Sequence, residues 1–318
     1  AACHSSRSVY AQRHRDRNYR LSAQPPVPNR RTTIFRHLQS LVGPRHPQTA
    51  PHALHQAAEY LAARLAEYGC TTNGQPFRAL GKSYFNIVGI KRPPGEPAKD
   101  GNAPLLIGAH YDTVSGSPGA DDNASALAVL LESAYRLKPM LVARPVWFAA
   151  FCLEEQGLLG SRAFISGLKQ SGQPLDGAII LECVGYASRE AGSQRTPPGV
   201  PIPVPTVGNF LGIVGNEASR DLVAAVDRNA RRGAPTMPTL ALAVPGRGES
   251  LPDVRRSDHA AFWDEGYRAV MLTDTANFRN PHYHQPTDTL DTLDLEFLEG
   301  VAEIVAGCIE DLAGASRP

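Results

Sequence analysis

A three-layer α/β/α fold around a central mixed, mostly parallel sheet is the architecture the sequence predicts. Short apolar runs alternate with longer segments of helical periodicity: Leu105 to Ala109, the helix Ala124 to Leu137, Val146 to Leu153, a helix around Arg162 to Leu168, then Ala178 to Val184. Strands separated by helices pair in parallel, because the helix carries the chain back to the edge where the next strand starts. The pattern resumes with Phe210 to Val214, the helix Ala218 to Arg231, Ala269 to Thr273 and a closing helix from Asp294 to Leu312. With 318 residues, 42% of them hydrophobic, the chain can bury a large core without disulfide staples.

The first 34 residues are rich in Arg, His, Ser and Pro with almost no apolar periodicity, the composition of a disordered tail. Residues 35–318 then form one domain. From Pro51, Leu54, Ala57, Ala58, Leu61 and Leu65 recur at helical spacing until Gly69, which supplies a C-terminal stop. Residues 186–208 contain Pro197, Pro198, Pro201, Pro203 and Pro205, which disfavour helix interior and central strand alike. This segment is a loop, either a lid over a site or a linker.

Lys+Arg 32 against Asp+Glu 31 gives a net charge of +1, so neither nucleic acid nor an anionic membrane is an expected partner; a small substrate bound by a monomer is. No run approaches the roughly 20 apolar residues that span a bilayer. The chain starts at Ala1 without Met and without an apolar leader segment, which leaves room for a removed leader and assigns no compartment. Five cysteines without CxxC spacing indicate neither a disulfide framework nor a cysteine zinc site, and Cys152 and Cys183 read as small buried hydrophobes.

Chemistry-bearing residues gather at the ends of the apolar runs. His110 and Asp112 follow the first strand, where ligands collect in open α/β sheets; His with Asp two residues on suits a metal ligand with its orienting carboxylate, or a plain loop hydrogen bond. Gly119-Ala120-Asp121-Asp122-Asn123 precedes a helix, so Asp122 or Asn123 either caps it or Asp122 bridges two cations. Glu154 and Glu155 end a buried strand, where adjacent carboxylates repel unless a cation or proton compensates them. One of the pair can ligate a metal while the other takes a proton from water. Glu182 ends a further apolar strand, and His282, Tyr283 and His284 follow the last one.

These residues resemble the co-catalytic zinc aminopeptidases, a family that also includes glutamate carboxypeptidase and, more distantly, glutaminyl cyclase. The resemblance spans roughly residues 50–310. It rests on His110-Tyr111-Asp112, the Gly119 to Ser125 segment, the Glu154-Glu155 pair with Gly157 to Phe164, the acid Glu182, Ser257 to Phe262, and His284 with Asp288-Thr289. It implies two zinc ions, replaceable by cobalt or manganese: one held by Asp122, Glu155 and His284, the other by His110, Asp122 and Glu182, with Asp122 bridging. It further implies Glu154 as general base, Asp112 as orienter of His110, and Tyr283 as oxyanion donor. His282 rivals His284, and Asp258 either caps a helix or contacts the site.

The implied activity is removal of N-terminal residues from peptide or aminoacyl substrates. The departure is Glu182, where many relatives place Asp; its longer arm costs preorganisation and predicts the weaker of the two metal positions. The rivals are a one-zinc acyltransferase like glutaminyl cyclase and a metal-free binding domain, and retention of all five ligands argues against both.

Overall fold

A computed structural model describes residues 29–95 and 102–317. The expected tail to residue 28 lies outside them. Its last part is not tail: helix α1 runs from Arg30 to Leu41, with the Asn29 side chain accepting from the Thr32 amide at 2.8 Å. Ile34, Leu38 and Leu41 bury one face of α1 in the core, spacing that the Arg-rich composition around it concealed. Helix α2, Pro51–Glu67, follows as expected.

Strands β1 (Thr71–Ala79) and β2 (Lys82–Lys91) form a hairpin that composition hid, since β1 is exposed, carries Pro76 and tolerates it as an edge strand. Then come β3 (Leu105–His110), α3 (Ala126–Leu137), β4 (Val146–Phe151), α4 (Leu159–Ser171), β5 (Gly177–Glu182), β6 (Leu211–Asn216), α5 (Arg220–Gly233), β7 (Thr239–Val244), the short α6 (His259–Asp264), β8 (Ala269–Thr273) and α7 (Leu295–Ala313). The sheet order is β1-β2-β4-β3-β5-β8-β6-β7. The four strands β4, β3, β5 and β8 at its centre are mutually parallel, and the flanking β2–β4 and β8–β6 pairs are antiparallel. The sheet is therefore mixed and mostly parallel at its heart.

Strand alternation divides the core into two. Ile107, Phe148, Ile179 and Leu181 point to the layer of α1, α2, α3, α5 and α7, while Leu106, Trp147, Phe151 and Ile180 point to α4 and α6. Covered on both faces, β3, β4 and β5 are buried at every position, which is why they read as continuous apolar runs. Their carboxyl ends, with that of β8, open on one edge of the sheet.

Arg45, just after α1, is buried at 2% exposure and ties this edge together. Its Nε donates to the Tyr111 carbonyl at 2.8 Å and its terminal nitrogens to Leu41, Gly43, Pro118 and Gly119, linking α1 to the loops on either side of Ser115. Burial lowers its pKa to about 10 against the pull of Asp112, Asp122 and Asp288, so it remains a cation at neutral pH. Arg45→Met is expected to leave these carbonyls unpaired and to destabilise the metal-free fold by about 3–5 kcal/mol, read from urea unfolding. A midpoint unchanged from wild type would show that Arg45 is dispensable.

Candidate metal centre

The edge of the sheet where β3, β4, β5 and β8 end gathers the acidic and His residues singled out in the sequence. Three of them stand beside non-glycine residues in the left-handed region: Leu153 (φ 63°) precedes Glu154, Cys183 (φ 48°) follows Glu182, and His284 itself has φ 60°. Such backbone is costly for a side chain with Cβ and is held only where neighbours over-determine it. Two glycines permit the turns. Gly160 brings α4 against the Cys152 carbonyl and the Asn86 side chain, and Gly119 (φ 61°) lets the chain turn under the Asp122 carbonyl; a Cβ at either would clash.

His110 Nε2 lies 3.1 Å from Asp122 Oδ1 and 3.4 Å from Glu182 Oε2. His284 Nε2 lies 3.0 Å from Asp122 Oδ2 and 3.3 Å from Glu155 Oε1. Asp122 thus faces both imidazoles, one with each oxygen. None of His110 Nε2, Asp122 Oδ1, Glu155 Oε1 and His284 Nε2 makes a hydrogen bond although all are buried. Buried polar atoms that converge without pairing call for compensation, which a cation between them or added protons can supply. Bonds of 2.0–2.1 Å to a tetrahedral zinc place neighbouring donors about 3.3 Å apart, and the observed separations match that edge. The nitrogen and oxygen donor set therefore fits zinc. Glu154 lies within the same reach, with Oε2 4.0 Å from His110 Nε2.

The loop carrying Asp122 is a π-type turn, Ala120–Ser125, that includes a cis Asp122–Asn123 peptide. Its side chains do not cap α3. Asn123 instead spans to β5, donating to the Leu181 carbonyl at 3.1 Å and accepting from the Cys183 amide at 3.1 Å. Asp288 accepts from the amides of Asp121 and Asp122 at 2.9 and 3.2 Å, which orients the Asp122 loop. Asp121 turns away, accepting from Gly185 N and Asn280 Nδ2.

Asp112 differs from expectation. Its carboxylate is 3.6 Å from His110 Nδ1, too long for a hydrogen bond, and the imidazole meets the Asp112 carbonyl oxygen at 3.2 Å instead. The carboxylate is already engaged, accepting from the amides of Glu154 and Glu155 at 3.0 and 3.2 Å. Asp112 therefore sets His110 through its main chain and the Glu pair through its side chain.

Glu182 is also not left loose. Ser257 Oγ donates to Oε2 at 2.7 Å, with Asn123 Nδ2 at 3.5 Å, and Cys183 Sγ donates to Oε1 at 3.3 Å. These three donors immobilise the arm whose length suggested a lax ligand. Ser257, Cys183 and Asp288 escaped assignment in the sequence; for Asp288 the signal was its fixed spacing from His284. His282 bonds Thr287 Oγ1 and stands outside the cluster. Asp258 caps nothing: both its oxygens are buried without a partner. His259 bonds the Val254 carbonyl and packs on Trp263, a structural role, and His52 and His55 are exposed.

In the metal-free chain the electrostatics are those of crowded acids. Burial pushes Glu154 well above the usual carboxylate range; His110 opposes this, and Glu182, Asp258 and Glu155 add to it. Burial followed by the Asp122 charge raises Glu155 to about 7, and burial also takes Asp258 to about 7. Burial would lower His284, but Asp122 and Glu155 overcome it and hold the imidazole near 10.

Beside Glu182 opens a cleft walled by Phe210, Val214, Leu242, Met271 and Phe278 and rimmed by Tyr283 and Arg256. Pro197, Val200 and Val204 of the Pro-rich loop also line it. That loop doubles back on itself, with Ser188 N bonded to the Gly208 carbonyl and Gln194 N to that of Thr206, and contributes part of the cleft wall. No helix among the described residues is long and apolar enough to cross a membrane.

Comparison with known proteins agrees with this geometry. An uncharacterised protein of Escherichia coli K12, YfbL, is 32% identical over 280 residues, covering 83% of this chain and 82% of its own. The chain spans about half the length of the curated fungal leucine aminopeptidases it also matches (54% of each). Among solved structures, a zinc aminopeptidase from Bacillus subtilis superposes with a TM-score of 0.70 at 17% identity, covering 91% of this chain and 96% of that one. A glutaminyl cyclase from Porphyromonas gingivalis does so with 0.65 at 21%, covering 89% and 97%. At these identities the two structures establish a shared fold only. Residues 86–309, which carry every donor described above, match the profile of peptidase family M28, and it is to this family that the chain belongs.

Proposed function

We propose that the protein is a two-zinc aminopeptidase. The observation that carries this reading is the convergence of buried, unpaired atoms of His110, Glu155 and His284 on Asp122, His110 also facing Glu182. One zinc is assigned to His110, Asp122 and Glu182, the other to Asp122, Glu155 and His284. Bound zinc supplies Lewis acidity toward a water and a substrate carbonyl.

The remaining steps belong to side chains. Glu154, buried beside His110 and Glu182 with its proton affinity raised, accepts the water proton and returns it to the leaving amine. Asp112 fixes the backbone from which Glu154 and Glu155 project. Tyr283, stacked on His284 with ring centroids 3.8 Å apart, places its hydroxyl at the cleft to donate to the developing oxyanion.

The floor of the site carries Asp122, Glu154, Glu155, Glu182 and Asp258, a field that suits a substrate α-ammonium group and repels an α-carboxylate. The apolar walls of the cleft suit a large apolar N-terminal side chain. Leucyl and phenylalanyl amides should therefore be hydrolysed and their N-acetylated forms resist, with zinc content measured in the same preparation. Conversion of N-terminal glutaminyl peptides to the cyclised product without amide hydrolysis would instead establish the cyclase reading.

A further inference from the structure

We infer that Arg256 is a positioning residue for the Tyr283 hydroxyl, fixing its oxygen so that its proton points into the cleft. This rests on the proposed role of Tyr283. Arg256 Nη2 donates to Tyr283 Oη at 3.2 Å, and the guanidinium carbon stands 5.6 Å from the ring centroid. The other branch is held separately: Nη1 donates to Asn277 Oδ1 at 2.8 Å and reaches Asp253 Oδ1 at 3.5 Å. Only a planar fork serves both ends at once.

Among the described residues the Tyr283 hydroxyl has no acceptor for its own proton. With one lone pair taken by a cationic donor, that proton must turn elsewhere, and the direction left open is the cleft that Tyr283 and Glu182 both line. A charged donor on the oxygen also polarises the O–H bond and makes it a stronger donor to a developing negative charge. The tyrosine ring cannot swing to compensate, since its plane lies 17° from that of His284 in a stacked pair. The next residue, Ser257, donates to Glu182. One dipeptide thus contacts both the Tyr283 hydroxyl and the Glu182 carboxylate, two groups that line the same cleft.

Arg256→Met should lower kcat on leucyl amide about tenfold while KM stays within about twofold, because the lost alignment matters only once oxyanion charge develops. Zinc content and melting temperature should match wild type. In a Tyr283→Phe background, itself slowed, Arg256→Met should cause no further loss. Arg256→Lys should restore only part of the rate, having charge without the fork. An equal loss of kcat in both backgrounds, a change confined to KM, or full rescue by lysine would overturn the inference while leaving Tyr283 as donor. Native turnover in Tyr283→Phe alone would overturn Tyr283 and Arg256 together, and absence of amide hydrolysis by wild type would overturn the aminopeptidase reading on which both stand.

Discussion

Glu154→Gln is expected to cut turnover by about 10²–10⁴-fold while both metals stay bound. The amide keeps the shape of the carboxyl, but cannot accept a proton. Glu154 is also within ligand reach, its Oε2 being 4.0 Å from His110 Nε2, so metal content separates its two conceivable roles. Loss of a ligand would empty a site, whereas loss of a base would not. The substitution also removes the acid whose ionisation Glu182, Asp258 and Glu155 oppose. The metal-free variant should therefore be at least as stable as metal-free wild type at pH 8. Turnover near that of wild type would place the base elsewhere, and zinc lost together with activity would make Glu154 a ligand.

Removing the metal should abolish turnover and also change how stability depends on pH. In the metal-free chain Glu155 and Asp258 titrate near 7, above their unfolded values near 4, so the folded state binds more protons between these limits. Stability then falls as pH rises across that window. His284 acts with the same sign at higher pH: raised to about 10, it contributes stability below its unfolded value near 6.5 that is lost as pH climbs through 10. Asp122, held below the usual range by the two imidazoles despite its burial, matters only in acid. Metal-free protein should accordingly melt at a lower temperature at pH 8 than at pH 5.5. The rise in melting temperature on adding zinc should be larger at pH 8, where Glu155 is already ionised and metal binding displaces fewer protons than at pH 5.5. Calorimetry of chelated and zinc-loaded protein at the two pH values measures this directly. Equal melting of the chelated protein at both would contradict the assigned crowding.

The parallel centre of the sheet was legible in the sequence because β3, β4 and β5 are buried on both faces and so carry unbroken apolar runs. Acids placed directly after such runs, Glu154, Glu155 and Glu182, stood out for the same reason. The elements that escaped were those whose burial is one-sided or whose composition is polar: α1 within an Arg-rich stretch, the exposed β1, and β7 at the opposite edge, where every residue before Val244 is at least partly exposed. Residues that act at a distance were hidden as well. Arg45 meets the loops around Tyr111 and Gly119 only after α1 packs, and Ser257 reaches Glu182 across the sheet edge; no local pattern encodes either contact. The role of Asp112 was half legible, since the spacing to His110 was right but the acceptor is the main chain.

The order in which the donors occur along the chain has a consequence for how the protein comes to life on the ribosome. His110, Asp122, Glu155 and Glu182 are made early, but His284 and Asp288, which completes the Asp122 loop through two amides, come only after β8 has been synthesised to lie between β5 and β6. A nascent chain lacking that strand has neither the second imidazole nor the clasp on the Asp122 loop. The candidate metal centre is thus completed only once β8 and the segment that follows it have been made.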